Sequence, residues 1–416
     1  MLLWQYIVLR GQLAALLSSP CNLDNLTHRA TLATVQQRED MRQCIRRLAE
    51  SSRALPQLTT KELLAQGRVP SFSVTYRDFM EWNNIQVARH GRFFEKRNAA
   101  SLSQLHSLGR AEPLLCHALA RWMHVDYKLN SYPYYDLNVL LVYTDWDQAQ
   151  RVAGALVAFL ERVQAASGQR VNCFLAPLHD APAPARRRAA VPPGVRVLDS
   201  GLLLGPEPCR MEDPVYVVLM NDVVRYLSCD LVRMGNGGDW QQMHLDVEKR
   251  STQRVWFDTM DHWCHAATTL HVPQGMEFRP GTRMFVPTRL TQLLHCLCEY
   301  MPEHRLFALD MPQQRQWWYW LYYNNQRTVT DAIQVHQLHD VFTKSEVETV
   351  FAADFASLKR LYALVSDGLK LAHTEPAADF ASHWTDLRES EELLGRDLSA
   401  EYASLQACML SVMRAL

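Results

Sequence analysis

Glycine is sparse in this 416-residue chain, 16 in all, and none stands in the turn Thr144-Asp145-Trp146-Asp147. That turn joins an apolar run, Leu137 to Tyr143, to an amphipathic helical pattern. The omission matters because a backbone lies against a ribose or phosphate only where side chains are absent, and turns of positive φ are cheap only for glycine. A strand-to-helix junction is where α/β enzymes hold nucleotide-like cofactors. This one has the scaffold of such a site without the residue that admits the ligand.

Other absences narrow the classes further. Neither sign of charge is in excess, with Lys+Arg 43 against Asp+Glu 44 and a net charge of −1, so no overall field draws nucleic acid or anionic lipid. The local clusters Arg186 to Arg188 and Arg42, Arg46, Arg47 and Arg53 read as solvated faces. The amino end, MLLWQYIVLRGQLAALLSS, has no apolar stretch approaching the ~20 residues that cross a bilayer, so no membrane span is expected. Ten cysteines lack the two-residue-gap pairing of a zinc site; Cys296-Leu-Cys298 is spaced wrongly, and the set reads as reduced thiols in a non-secretory compartment. His262, Cys264 and His265 are close in sequence but point different ways along one element, so no metal site is expected. Up to Arg38 the chain has Arg10, Arg29 and Arg38 with Asp24 as its acid, a composition that suits a mitochondrial presequence and equally a mature amino-terminal helix.

With 48% hydrophobic residues the chain can bury a full core, as one large or two moderate domains. Residues 35 to 66 read as helical. Short β-branched runs then alternate with helix patterns: Leu137 to Tyr143, helix Gln148 to Gln164, Arg170 to Leu175, Val195 to Leu198, Val215 to Met220, helix Leu290 to Tyr300, and Arg305 to Leu309. Strands alternating with helices predict a parallel sheet. Asp147 is the expected N-cap of the first of these helices, whose apolar face is Val152, Leu156, Phe159, Leu160 and Val163. Gln241 to Val247 and Arg254 to Asp258 alternate as antiparallel strands, an extension of the sheet or a small inserted lobe. Ala181 to Gly194, rich in Pro, Ala and Arg, reads as an exposed loop. The carboxyl third reads as helical from Lys344 to Ser366 and from Ala377 to Leu416.

Candidate chemistry gathers at strand ends. Asp145 and Asp147 are acids in the first turn. Asn221-Asp222 follow the Val215 to Met220 strand, where an acid can bind or deprotonate a cationic group, although turns favour Asn and Asp anyway. Asp310 ends the later strand in the same way. The second strand runs through Val171 to Leu175 into Ala176-Pro177 with no acid to receive ribose hydroxyls. In Trp317-Trp318-Tyr319-Trp320-Leu321-Tyr322-Tyr323 six of seven residues are aromatic, more than one face can bury, which suits a partner contact or a large internal core.

The phrase Phe72-Ser-Val-Thr-Tyr-Arg-Asp-Phe-Met80, followed by His90-Gly91-Arg-Phe-Phe94, resembles the opening of the MidA family, which includes a mitochondrial protein arginine methyltransferase that assists respiratory complex I assembly. Later segments follow in order. Leu102 to Trp122 sits where the family has its "T-S-P-E" segment and helix; Asn221 to Leu227 is similar to "N-E-F-F-D-A-L-P"; Gly238 to Leu245 to "G-W-x-E-x-x-V". His304 to Pro312 is similar to the strand ending "D-Y-G", and Ala353 to Leu358 to "D-x-D-F-x-x-L". The resemblance spans residues 69 to 390 and retains Met80, Gly91, Trp240, Asp354 and Phe355. The departures fall on the chemistry. The cofactor loop "E-x-G-x-G-x-G" aligns with Val142 to Gln148, where every glycine is gone; "T-S-P-E" becomes Leu105 to Leu108; the acid of "F-F-D" becomes Arg225.

The resemblance implies a class I, Rossmann-like methyltransferase fold with a mostly parallel sheet. The expected organisation is an amino-terminal targeting or helical extension at 1–66, a methyltransferase-like α/β domain with inserted strands at 67–345, and a helical carboxyl-terminal region at 346–416. With two cofactor contacts missing, the expected function is that of a pseudoenzyme in the mitochondrial matrix, binding proteins as an assembly factor or subunit of a large complex, either respiratory complex I or the mitochondrial ribosome, with no cofactor, no catalytic residue and no metal. The rival is an active S-adenosyl-L-methionine-dependent protein arginine methyltransferase, with Asp222 as its catalytic candidate and Tyr143, Asp145 and Asn221 as cofactor contacts. A third reading gives the Arg186 to Arg188 loop and the aromatic tract to RNA, which the neutral charge does not favour.

Overall fold

The computed structural model describes residues 72–78, 80, 103–144, 146–164, 170–178, 191–198, 209–219, 223–247, 252–272, 275–310, 326–329, 348–351, 354–385, 387–395, 397–407 and 411–415. The presequence segment, the Arg186 to Arg188 loop and the aromatic tract lie outside them. In chain order the elements are β1 (Phe72–Thr75), α1 (Ser103–Asn130), β2 (Leu137–Tyr143), α2 (Trp146–Gln164), β3 (Val171–Pro177), β4 (Val195–Val197) and β5 (Val215–Leu219). Then come α3 (Val223–Tyr226), β6 (Asp230–Met234), β7 (Trp240–Val247), β8 (Thr252–Phe257), α4 (His262–His271), β9 (Arg283–Val286), α5 (Thr288–Tyr300) and β10 (His304–Asp310). The rest are β11 (Gln326–Val329), β12 (Glu348–Phe351), α6 (Phe355–Val365), β13 (Ala372–Pro376), α7 (Ala377–Trp384), α8 (Leu387–Leu394), α9 (Ser399–Ala407) and β14 (Ser411–Ala415). They fall into two compact units, one drawn from Met1–Lys96, Arg225–His295 and Gln314–Ala352, the other from Arg97–Val224, Cys296–Gln313 and Ala353–Leu416.

The second unit is the α/β half, a seven-stranded sheet in the order β13-β14-β10-β5-β2-β3-β4. From β10 to β4 every neighbour is parallel. β14 runs antiparallel to β10 on one side and to β13 on the other. The central strands are near-continuous apolar runs because both their faces are covered; every residue of β5 is buried, and all of β2 but Asn138. Helix α2 buries Val152, Leu156 and Leu160 as its periodicity requires, while Phe159 packs on His117 at 4.2 Å and Val163 in the last turn is exposed. Helix α1 is locked by Asp126, which accepts from the Tyr216 hydroxyl of β5 at 2.5 Å and pairs with Arg305 of β10 at 2.5 Å. Trp122 of the same helix sets its ring 5.7 Å from that of Tyr216 and 6.0 Å from that of Phe307.

Two expectations need correcting here. The carboxyl-terminal region is not helical throughout, for residues 348–351, inside the helix expected from Lys344 to Ser366, are a strand paired with β11, and residues 372–376 and 411–415 are strands of the seven-stranded sheet. The apolar spacing of Ser411 to Ala415 suits a helix as well as a strand, and the open edge of β10 decides in favour of the strand. Asp147 is not an N-cap, because α2 already begins at Trp146 and places Asp147 in its first turn.

The first unit contains a separate antiparallel sheet, β1-β7-β6-β9 with β8 on β7, so the alternating segments Gln241 to Val247 and Arg254 to Asp258 form a sheet of their own. Helix α4 covers one face, burying Cys264 and Ala267 against Val232 and Val286. At the margin of that core Arg77 is buried among carboxylates: its guanidinium binds Asp230, meets Asp261 at 2.8 Å and approaches Asp78 at 3.4 Å. Gln242 donates to Asp230 at 3.1 Å and to Asp261 at 2.7 Å, and the Thr288 hydroxyl donates to Asp230 at 2.8 Å. Burial works against the charge on Asp261, yet Arg77, the Cys264 amide and Gln242 outweigh it and hold the carboxyl down at about 2.

Two consequences are measurable. Arg77→Met strands buried carboxylates without their cation, and we expect a loss of about 3–5 kcal/mol in urea denaturation. His304 donates from Nδ1 to the Met301 carbonyl at 2.7 Å and accepts the Tyr362 hydroxyl on Nε2 at 2.7 Å, and burial lowers its pKa to about 3. Burial lowers His295 to about 3 as well. The unfolded chain takes up these protons below its ordinary histidine pKa of about 6.5 and the folded chain does not, so stability falls as pH drops through 6.5 toward 3. Between pH 7 and pH 5 each histidine costs roughly 2 kcal/mol. Urea midpoints at the two pH values check this, and His295→Gln should remove its share of the slope.

Candidate functional site

In an open parallel sheet a ligand binds outside the carboxyl ends of the strands, where the chain reverses its direction of travel across the sheet. Here the chain leaves β2 for β3 and then β4 on one side, and returns to β5 on the other. The switch point therefore lies at the ends of β2 and β5, the position reached from the glycine-free turn. Of the sequence-derived candidates Tyr143, Asp147 and Asp310 are described, Asp147 exposed in the first turn of α2; Asp145, Asn221 and Asp222 lie outside the described residues.

Tyr143 ends β2 with its side chain buried, and three residues on Trp146 opens α2, also buried. Their rings meet edge-on with centroids 5.7 Å apart and planes inclined by 68°. The Tyr143 carbonyl accepts the Leu178 amide at 2.8 Å, tying the end of β3 to the end of β2, and Leu178 is fully buried. One step outward, the Leu198 amide closes β4 on β3 through the Leu175 carbonyl at 2.8 Å. The β3 strand finishes in Ala176 and Pro177, which supply no hydrogen-bond acceptor side chain for a ribose. The glycine that α2 does contain, Gly154, faces Pro192, whose Cγ would lie 3.5 Å from an added Cβ; it serves helix packing. At the end of β10, Asp310 is buried opposite Ser411 of β14.

The described residues of this edge thus do not fit the amino-acid end of S-adenosylmethionine. That end needs bare backbone, and an indole and a phenol occupy the junction. Arg225, which stands where the phrase it resembles has an acid, is buried and supplies no carboxylate. His262, Cys264 and His265 do not converge either. The Cys264 amide is used by the Asp261 N-cap, and among the described residues no three His, Cys, Asp or Glu side chains gather as a metal would need. No helix among them is long and apolar enough to cross a membrane.

Sequence reasoning missed the polar cluster of Arg77, Asp230, Asp261 and Gln242. Arg77 lies in the family-like opening phrase, but Asp230 is 153 positions away, and one sequence has no signal that joins them.

Comparison with known proteins agrees with this architecture. Residues 207–372 match the family described as "Putative S-adenosyl-L-methionine-dependent methyltransferase". The chain is 27% identical over 371 residues, 81% of its length and 90% of the relative's, to the "Protein arginine methyltransferase NDUFAF7 homolog, mitochondrial" of Saccharomyces cerevisiae. Among solved structures it superposes on a Burkholderia thailandensis protein assigned as a methyl transferase and bound to S-adenosyl-homocysteine. The TM-score is 0.50 at 12% identity, with 90% of this chain and 93% of that one covered, a likeness of fold.

The aromatic closure makes a stability prediction. Trp146→Ala should cost about 3–5 kcal/mol in urea denaturation, as for a large buried ring. Asp147→Ala, exposed in the same helical turn, should cost under about 1 kcal/mol.

Proposed function

We infer that this chain, a divergent member of the MidA-like methyltransferase family, works in mitochondria by binding other proteins, as an assembly factor or subunit of a large complex, and not by transferring methyl groups. The observation that carries this reading is the buried Tyr143 and Trp146 pair at the switch point, where a methyltransferase needs glycine backbone. The parallel strands pair in regular register around that junction, which supports a reading in which the fold is kept and the ligand contact is not. The mitochondrial setting is supported by the yeast relative's name and by the amino-terminal composition. Respiratory complex I is the partner that the family resemblance suggests, and the mitochondrial ribosome is its rival. Isothermal titration of the full chain with S-adenosylmethionine should show no heat of binding; one micromolar site would overturn the reading. Affinity purification from mitochondria, with identification of what co-purifies, separates the two complexes.

The name of the yeast relative favours a second reading, an active protein arginine methyltransferase with a rebuilt pocket that uses Asp222 on a cationic group. It requires transfer of labelled methyl to a substrate arginine, abolished by Asp222→Ala.

A further inference from the structure

The antiparallel unit carries a feature with no part in the cofactor edge. Arg233 of β6 and Arg283 of β9 stand directly opposite each other in the ladder. The Arg233 guanidinium carbon lies 4.4 Å from the centre of the Trp256 ring of β8, and that of Arg283 lies 5.7 Å from it. Arg254, two residues before Trp256, shares its face of the strand. Burial, and then the charge of Arg283, lower the pKa of Arg254. Arg254 and Arg283 are exposed, while Arg233 and Trp256 are half-buried.

Among the described residues none of these guanidinium groups meets a carboxylate. Arg233 donates twice to Gln241 Oε1, at 2.9 and 2.6 Å, and Asp258 nearby accepts from Gln241 Nε2 at 2.5 Å. Two like charges packed on one indole, with a third on the same face of β8, repel one another until a counter-charge arrives. Arginine held flat on a ring presents a rigid fork of donors suited to bidentate pairing with a carboxylate.

We propose that this face docks an acidic segment of a partner protein, whose carboxylates pair with Arg254 and Arg283 beside Trp256. The proposal deepens the protein-binding reading and rests on it. Tryptophan and arginine are the residue types that dominate binding energy at protein interfaces. RNA is the less suitable occupant on two counts. Guanidinium groups already lie over the Trp256 ring where a base would stack, and three phosphate contacts give a salt slope of only about −2, weak binding at physiological ionic strength.

The test uses the full chain and fluorescence anisotropy with three labelled probes: a peptide of alternating glutamate and threonine, the same peptide with glutamine for glutamate, and a uridine single strand. The glutamate peptide should bind about tenfold or more tightly than the glutamine peptide, and Arg254→Glu and Arg283→Glu should each abolish that advantage. Arg254→Gln, which keeps a polar exposed side chain, should weaken it in the same direction. Equal binding of the two peptides, binding unmoved by the charge reversals, or tighter binding of the uridine strand overturns the proposal. Peptide binding by a chain that also takes up S-adenosylmethionine would leave the docking face standing and remove the pseudoenzyme reading alone.

Discussion

An edge-on contact between Tyr143 and Trp146 fixes how the central strand of the parallel sheet becomes its first helix. The strand must end within the span that the phenol closes, the helix must start on the indole itself, and the Tyr143 carbonyl is committed to the neighbouring strand through the Leu178 amide. A glycine loop at the same place would leave the backbone open and the helix entry loose, conditions that serve a bound cofactor. Aromatic packing makes the junction part of the core instead. The parallel strands of that unit pair with β2 directly or through β3 and β5, so the ring pair closes the strand from which the others are counted.

Much of the fold was legible in the sequence because parallel strands covered on both faces leave continuous apolar runs: LNVLLVY, VYVVL and HRLFALD stand out against the polar segments around them. What failed was local. Asp147 looked like a cap because acids favour helix starts, but a buried tryptophan one position earlier takes the first helical place. The segment SVMRA has no local preference strong enough to settle its state, and its partners, β10 and β13, belong to distant parts of the chain. The absence of glycine from the turn was legible, since a missing residue type is visible without coordinates. The polar cluster around Arg77 was not, since nothing in one sequence ties an arginine in one strand-turn to aspartates far downstream.

The two faces of the antiparallel sheet handle charge in opposite ways. Around Arg77 one cation sits among three acids, with Gln242 and Thr288 bonded to the carboxylate oxygens of Asp230 and Gln242 also to Asp261, an arrangement that orders β1, β6 and the start of α4 about one point. On the opposite face of the same sheet, Arg233, Arg254 and Arg283 are left with an indole and an amide. The buried charges are paired within the fold; the exposed ones meet no carboxylate among the described residues.

β13 precedes β14 in the chain yet reaches the sheet only through it, because β14 is inserted between β10 and β13. During synthesis β10 therefore presents an unpaired edge until residues 411–415 are available, and β13 has no place to dock in the interval. An open strand edge of that kind invites pairing with other chains. The nascent protein thus passes through a stage in which one edge of its parallel sheet is open, and the order in which the strands are made exposes that edge to chaperones or to aggregation.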